Sequence, residues 1–253
     1  MIDTHCHLDC EAFFDDIHSV LKDSRENQIS AFIIPGADIK DLARAQSLAH
    51  TYEDVYFASG VHPYHLSTYD LCSLRAVLKD EKCVAIGECG LDYFRLEGSE
   101  EEKRAIKALQ EKCFREQIEL SLEVNKPLIL HVREASGDVV KILRDYPRAR
   151  GVFHCFNADE ILLEFKDRFF YGIGGVLTFK NARRLLEVLP KIPLNRLLLE
   201  TDSPYLTPHP YRGERNEPKY IPLIVEKISE VLQIAKEKIS KQSDQNAREL
   251  FNL

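Results

Sequence analysis

Eight short apolar runs recur along the chain, and most are followed by a stretch in which apolar residues return every three or four positions. The runs are Met1–His5, Ala31–Pro35, Tyr56–Gly60, Val84–Glu88, Pro127–His131, Gly151–His154, Phe169–Gly174 and Arg196–Glu200. Several are continuously apolar, the pattern of strands covered on both faces. Between them, Glu11–Asn27 places Phe14, Ile17, Val20 and Leu21 on one helical face, and Ile39–Ala49 and Asp70–Lys79 follow the second and third runs. Ser99–Val124 is the longest helical pattern, opened by Ser99 and Glu102 at capping-box spacing. Asp138–Arg144, Asp159–Phe165 and Asn181–Leu189 follow the fifth to seventh runs, and Pro218–Gln233 follows the eighth. The tail, Lys236–Phe251, predicts one or two small helices, with Lys236–Lys241 an ordinary solvated face.

Strand alternating with helix eight times predicts a parallel (β/α)8 TIM barrel rather than a sandwich or a bundle. Such a barrel needs roughly 250 residues, so the 253 present suit one domain spanning 1–253. An open doubly wound sheet is the structural alternative. No GxGxxG or Walker sequence follows an early strand, which weighs against it.

Composition narrows the class. No run approaches the roughly 20 apolar residues of a membrane span, and the start, MIDTHCHLD, does not read as a secretory signal. The seven cysteines are odd in number and scattered, with no CxxC, which fits small buried side chains in a reducing cytoplasm better than a disulfide framework. A net charge of −7 argues against a module that coats DNA through excess Lys and Arg. It leaves room for an enzyme that holds a few phosphates locally with metal ions. No obligate protein partner is evident.

The strongest chemical signal is Asp3-Thr4-His5-Cys6-His7 at the end of the first run. Side chains two apart on a strand share a face, so His5 and His7 are predicted to point together toward the barrel axis. Glu88, His131 and His154 end the fourth, fifth and sixth runs, and Asp202 follows the eighth. Each follows an apolar run that should be buried, where a charged group is costly unless paired or metal-bound. In a barrel the C-terminal strand ends converge on one face, which carries the active site. Four imidazoles and two carboxylates gathered there suit two divalent ions. Glu88 is the natural bridge, one oxygen to each ion, and Asp202 is placed to bind one ion and accept a proton from an attacking water. The histidine-rich set suits zinc, iron, nickel or manganese better than magnesium.

The segments IDTHCHLD, GECGLDY, PLILHVREA and LLLETDSP, at these spacings, resemble the signature segments of TatD-family deoxyribonucleases, a branch of the amidohydrolase-like barrels. GVHPY (Gly60–Tyr64) and PYRGERNEP (Pro210–Pro218) match two more, so the resemblance runs from the first residues to about Asn246. It implies one ion held by His5, His7, Glu88 and Asp202 and another by Glu88, His131 and His154. It also implies magnesium- or manganese-stimulated hydrolysis of DNA, often from the 3′ end of a strand. A glutamate at the fourth strand end, rather than the carbamylated lysine of several related barrels, makes lysine-bridged chemistry unexpected.

Around that set, His62 of GVHP has two readings, a phosphate contact or proton donor, and a loop histidine bonded to backbone. Glu200 should share a face with Asp202, as ligand orienter or as a buried neighbour. Asp92 and Tyr93 line the pocket in one reading, with Asp92 a turn stabiliser in the other. Arg212 and Arg215, in the loop past the eighth strand, are candidates to grip phosphate or to pair with Glu214 or Glu217. Arg133 has the same standing. Tyr64, Tyr93, Phe94, Tyr205 and Tyr211 are candidates for stacking on bases. Three functions follow: a DNase acting on single-stranded ends, a hydrolase of another ester (a small phosphoester, lactone or aminoacyl-tRNA), and a catalytically idle barrel used as a partner surface. The full ligand set weighs against the third.

Overall fold

A computed structural model describes residues 1–253. Eight strands, β1 (Ile2–Asp3), β2 (Ala31–Ile34), β3 (Val55–Ser59), β4 (Cys83–Asp92), β5 (Leu128–Arg133), β6 (Gly151–Phe153), β7 (Phe169–Ile173) and β8 (Leu197–Leu199), pair in chain order. Every ladder is parallel. The last strand returns to the first through backbone bonds just beyond the regular ladder. Thr4 N–H donates to the Leu199 carbonyl (3.1 Å), Asp202 N–H to His5 (2.9 Å) and His7 N–H to Ser203 (2.8 Å). The fold is therefore a (β/α)8 barrel, as the alternation of runs predicted.

Helices α1 (Ile17–Glu26), α2 (Ile39–Thr51), α3 (Leu71–Ala76), α4 (Glu100–Val124), α5 (Ser136–Asp145), α6 (Arg183–Val188), α7 (Ile221–Leu232) and α8 (Lys236–Phe251) accompany the strands. The capping box at Ser99 and Glu102 forms in full. Two expectations are corrected. Glu11–Asn27 is not one helix but a short 3-10 turn and α1, because the Asp16 backbone leaves helical geometry (φ −137°) and caps α1, while its carboxylate reaches Arg215 across the fold. Phe14 accordingly leaves the apolar face, is 50% exposed and lies under the Arg44 guanidinium. The connection after β6 is a 3-10 helix, Glu160–Phe165, entered through left-handed residues Cys155 and Ala158. The tail forms one helix, α8, within the one or two expected there.

Alternation along the strands divides the core in two. Phe32, Ile34, Leu128, Leu130, Phe169, Tyr171, Leu197 and Leu199 belong to the large cluster between strands and helices. Ile33, Ala58, Ile129, Val152, Phe170 and Leu198 form a smaller one with Ala247, Leu250 and Phe251 of α8, which closes the N-terminal end of the barrel. Two residues further along the inward phase stand Gly60, His131, His154 and Glu200, and two more bring His62 and Asp202. The apolar plug thus ends where the polar side chains begin.

Candidate metal centre

β4 runs four residues past Glu88, and its register slips between Ile86 and Cys89. The slip occurs where three glycines meet. A Cβ on Gly60 would lie 2.4 Å from the Gly87 carbonyl carbon, and one on Gly36 would lie 2.6 Å from Gly60 N. Without side chains, the strand ends close up and lock by backbone bonds, Glu88 N–H to the Gly36 carbonyl (2.7 Å) and Gly36 N–H to Gly87 (2.8 Å). Glu88 is thereby carried to the middle of the barrel mouth, where it is buried.

Its two oxygens face opposite ways. Oε2 lies 3.3 Å from His5 Nε2 and 3.8 Å from His7 Nε2. Oε1 lies 2.8 Å from His154 Nε2, 2.9 Å from His131 Nδ1 and 3.6 Å from His62 Nε2. Asp202 Oδ1 completes the first side, 3.5 Å from His5 Nε2 and 3.4 Å from His7 Nε2, and the two imidazole nitrogens are 3.2 Å apart. Donor atoms around a tetrahedral ion with bonds of roughly 2.0–2.1 Å lie roughly 3.3–3.4 Å from one another. The spacings among His5, His7, Glu88 and Asp202 scatter about that value, so this donor set fits a divalent cation. On the second side, Glu88, His131 and His154 present three donors, with His131 Nδ1 and His154 Nε2 3.2 Å apart.

Outer partners orient the rings. His131 Nε2 meets Asp92 Oδ2 at 2.9 Å, while Asp92 Oδ1 accepts the Phe94 N–H at 2.8 Å. His131 is thus held with one nitrogen toward Glu88 and the other against a carboxylate, the arrangement that raises the basicity of a metal-binding imidazole. His5 and His154 stack face to face, with centroids 3.9 Å apart. Asp3, fully buried, accepts from Thr201 N–H (3.0 Å) and Thr201 Oγ1–H (2.6 Å), tying the ligand-bearing segment after β1 to the one after β8. Glu200 is buried and accepts from Cys155 N–H, which orients the loop carrying His154.

The electrostatics follow from burial and crowding. Burial opposes ionisation of Glu88, but His154, His62 and His5 outweigh it and hold the carboxyl well below its usual range. Burial also opposes charge on His7 and His131, yet Asp202 in the first case, and Asp92 with Glu88 in the second, raise them to about 9. His5 is pushed down to about 4 and His62 to about 3, chiefly by burial. Burial drives the Glu200 carboxyl well up. The centre is a nest of imidazoles around ionised Glu88 and Asp202, in which cations and protons compete for the same lone pairs.

The structure brings His5, His7, Glu88, His131, His154 and Asp202 together and adds His62 at their edge. His62 Nδ1 accepts the Tyr64 N–H (3.1 Å), which leaves Nε2 as the protonated nitrogen facing the cluster. Arg133 lies over the Phe94 ring at 3.6 Å and borders a cleft of about 610 Å³ above the site. Arg212 rests on Phe179 (3.9 Å) and donates to the Thr207 carbonyl, and Arg215 is paired with Asp16 and Glu217. Tyr64, Phe94, Tyr205 and Tyr211 are all at least 40% exposed on the loops of this face, whereas Tyr93 is half-buried, its hydroxyl on Asp138. Sequence reasoning left Asp92 undecided and passed over the glycine contact, Arg95 and Arg184. Gly36, Gly60 and Gly87 at the ends of three consecutive strands were the available signal for the first; the two arginines carry no motif.

A parallel barrel with buried imidazoles and carboxylates converging at its C-terminal mouth is the architecture of a metal-dependent hydrolase. Comparison with known proteins agrees and is more specific. The family model described as "TatD related DNase" matches residues 2–252, and the chain belongs to that family. It is 38% identical to "Uncharacterized metal-dependent hydrolase YabD" of Bacillus subtilis over 260 residues, covering 100% of this chain and 99% of the relative. It is 35% identical to "3'-5' ssDNA/RNA exonuclease TatD" of Erwinia tasmaniensis, covering both chains completely. The crystal structure of YJJV, a TatD homolog from Escherichia coli K12, superposes with a TM-score of 0.89 at 29% identity, covering 100% of this chain and 98% of that one.

Proposed function

We propose that this enzyme cleaves phosphodiester bonds of DNA, acting from the 3′ end of single strands, with two divalent ions held by His5, His7, Glu88 and Asp202 and by Glu88, His131 and His154. The observation that carries this reading is Glu88, whose two oxygens each face a separate group of imidazoles. When bound, such ions polarise the phosphate and lower the pKa of the attacking water. Asp202 receives that water's proton through its carboxylate. His62, fixed as the Nε2–H tautomer, donates to a phosphate oxygen. Asp92 holds His131 in register. Arg133 offers guanidinium N–H groups at the cleft, and the exposed rings of Tyr64, Phe94 and Tyr205 give bases a face to stack on. Arg212 and Arg215 act through the loop they brace, and the strand meets that loop rather than the Arg215 guanidinium.

The exposed rings of Tyr64, Phe94 and Tyr205 and the arginines beside the cleft favour a nucleic-acid strand over a small ester. No helix is long and apolar enough to cross a membrane. The odd number and scattered spacing of the seven cysteines fit a reducing cytoplasm as the working compartment. The test is direct. Metal-reconstituted protein is incubated with 3′- and 5′-labelled single- and double-stranded DNA beside a panel of carboxylic esters and lactones. A ladder shortening from the 3′ end of single strands is expected; turnover of the carboxylic esters with intact DNA would overturn the reading.

A further inference from the structure

The cleft over the metal centre does not end there. It opens into a second lobe of about 480 Å³, and the two share Arg133, Asn157 and Arg184. No apolar side chain lines the outer lobe. Gly137 leaves room on its floor, where a Cβ would meet nothing within 4 Å.

The arginines here differ from those of the β8 loop. Arg133 makes no ion pair. Its guanidinium lies flat on Phe94, which engages the π face and leaves the N–H edge free. Asp159 engages Arg184 through one nitrogen (Nη2–Oδ1, 3.0 Å), which steadies the group and leaves its remaining donors unused. Arg95 borders the inner lobe. Against these three cations stand Glu134 and Asp159 on the outer rim and Asp202 at the metal centre. The two lobes together form a path from the donor cluster outward, flanked by positioned guanidinium groups in a protein whose overall charge is −7. Guanidinium N–H groups left unpaired along such a path are suited to the oxygens of a phosphate.

We propose that the outer lobe seats a second phosphate of the substrate, one nucleotide away from the bond being cut, with Arg184 and Arg133 as its donors. The proposal rests on the phosphodiesterase reading above and deepens it. Substrates carrying two phosphates are turned over in preference to those carrying one, and the chain needs a dinucleotide bearing a terminal phosphate, rather than a lone diester, for full efficiency.

The experiment compares kcat/KM of the metal-loaded enzyme for TpT, 5′-phosphorylated pTpT and 3′-phosphorylated TpTp, with bis(4-nitrophenyl) phosphate as a diester lacking nucleosides. One of the two phosphorylated dinucleotides should exceed TpT by about tenfold, the scale of one charge-assisted contact. Arg184→Gln should bring that ratio close to unity. Gly137→Glu, which places a carboxylate in the lobe without touching the metal centre, should do the same. Equal kcat/KM for all three dinucleotides, or a ratio unchanged in both variants, overturns the subsite and leaves the nuclease reading intact. Hydrolysis of bis(4-nitrophenyl) phosphate with no dinucleotide cut overturns the nuclease reading and the subsite with it.

Discussion

Replacing Asp92 by asparagine exchanges one carboxylate oxygen for an amino group where both oxygens are committed. Oδ2 faces His131 Nε2 at 2.9 Å and Oδ1 accepts the Phe94 N–H at 2.8 Å, with the side chain fully buried. The amide has one acceptor for these two donors. If its oxygen keeps Phe94, its amino group faces His131 Nε2, which must give up its proton. The proton then moves to Nδ1, the atom that faces Glu88 and His154. If the amide turns the other way, the Phe94 N–H loses its acceptor at a cost of about 1–3 kcal/mol. Loss of such an outer partner typically lowers metal affinity or activity by about 10–100-fold, which is roughly 1.4–2.7 kcal/mol. In the proposed two-ion site the loss should fall on one ion only, because His5, His7 and Asp202 are not contacted by Asp92. The assay is dialysis of wild type and Asp92→Asn against graded chelator, with metal per chain measured elementally beside turnover of a chromogenic phosphodiester. Two ions per chain retained with unchanged affinity would refute the argument that Asp92 sets the tautomer of His131.

Other perturbations separate the remaining roles. Glu88→Ala should release both ions and abolish hydrolysis, whereas Asp202→Asn should retain much of the metal and lose rate; full turnover in either, with metal content measured, removes that residue from its role. Gly60→Ala forces a Cβ to within 2.4 Å of the Gly87 backbone; it should lower stability by about 1–3 kcal/mol and reduce metal retention at the same time, so a variant with normal melting and normal metal content contradicts the glycine contact. Arg215→Ala should lower the Tm with little change in KM for small diesters, through loss of the Asp16 pair, for which about 0.2–1 kcal/mol is appropriate at this exposure. Arg215 holds the Asp16 carboxyl below its usual range, so that contribution is complete above the unfolded pKa near 4 and fades as pH falls through the lower folded value. The Tm gap between wild type and variant, followed by calorimetry from neutral pH into acid, should therefore narrow; a gap that widens contradicts the assignment.

The clustering of the candidate ligands was legible because each obeys a local rule, a histidine or carboxylate at the end of an apolar run, and because one fold brings all such ends together. Period-2 phase sufficed for His131, His154 and Asp202, which continue the inward rows of Ile129, Val152 and Leu198. Asp92 was ambiguous for the opposite reason. Its role depends on β4 slipping register after Ile86, and that slip is made by glycines on three different strands. The arginines show where spacing fails. Arg215 lies 199 residues from Asp16, and nothing in a loop of Pro, Gly and charge says that its guanidinium is already engaged. Phe14 fits an amphipathic helix by count, but the chain leaves helical geometry at Asp16, two residues on.

The seam between the beginning and the end of the barrel has a consequence of its own. Regular pairing stops short there, and the segments that bridge it are the ones that carry His5, His7 and Asp202, fastened through Asp3 and Thr201. A cation gripped by those three side chains would therefore act as a clasp on the circle of strands. Loading the ion would then be coupled to latching the two ends of the circle, and stripping it should let amide hydrogens along residues 3–7 and 199–203 exchange with solvent before those of any other strand.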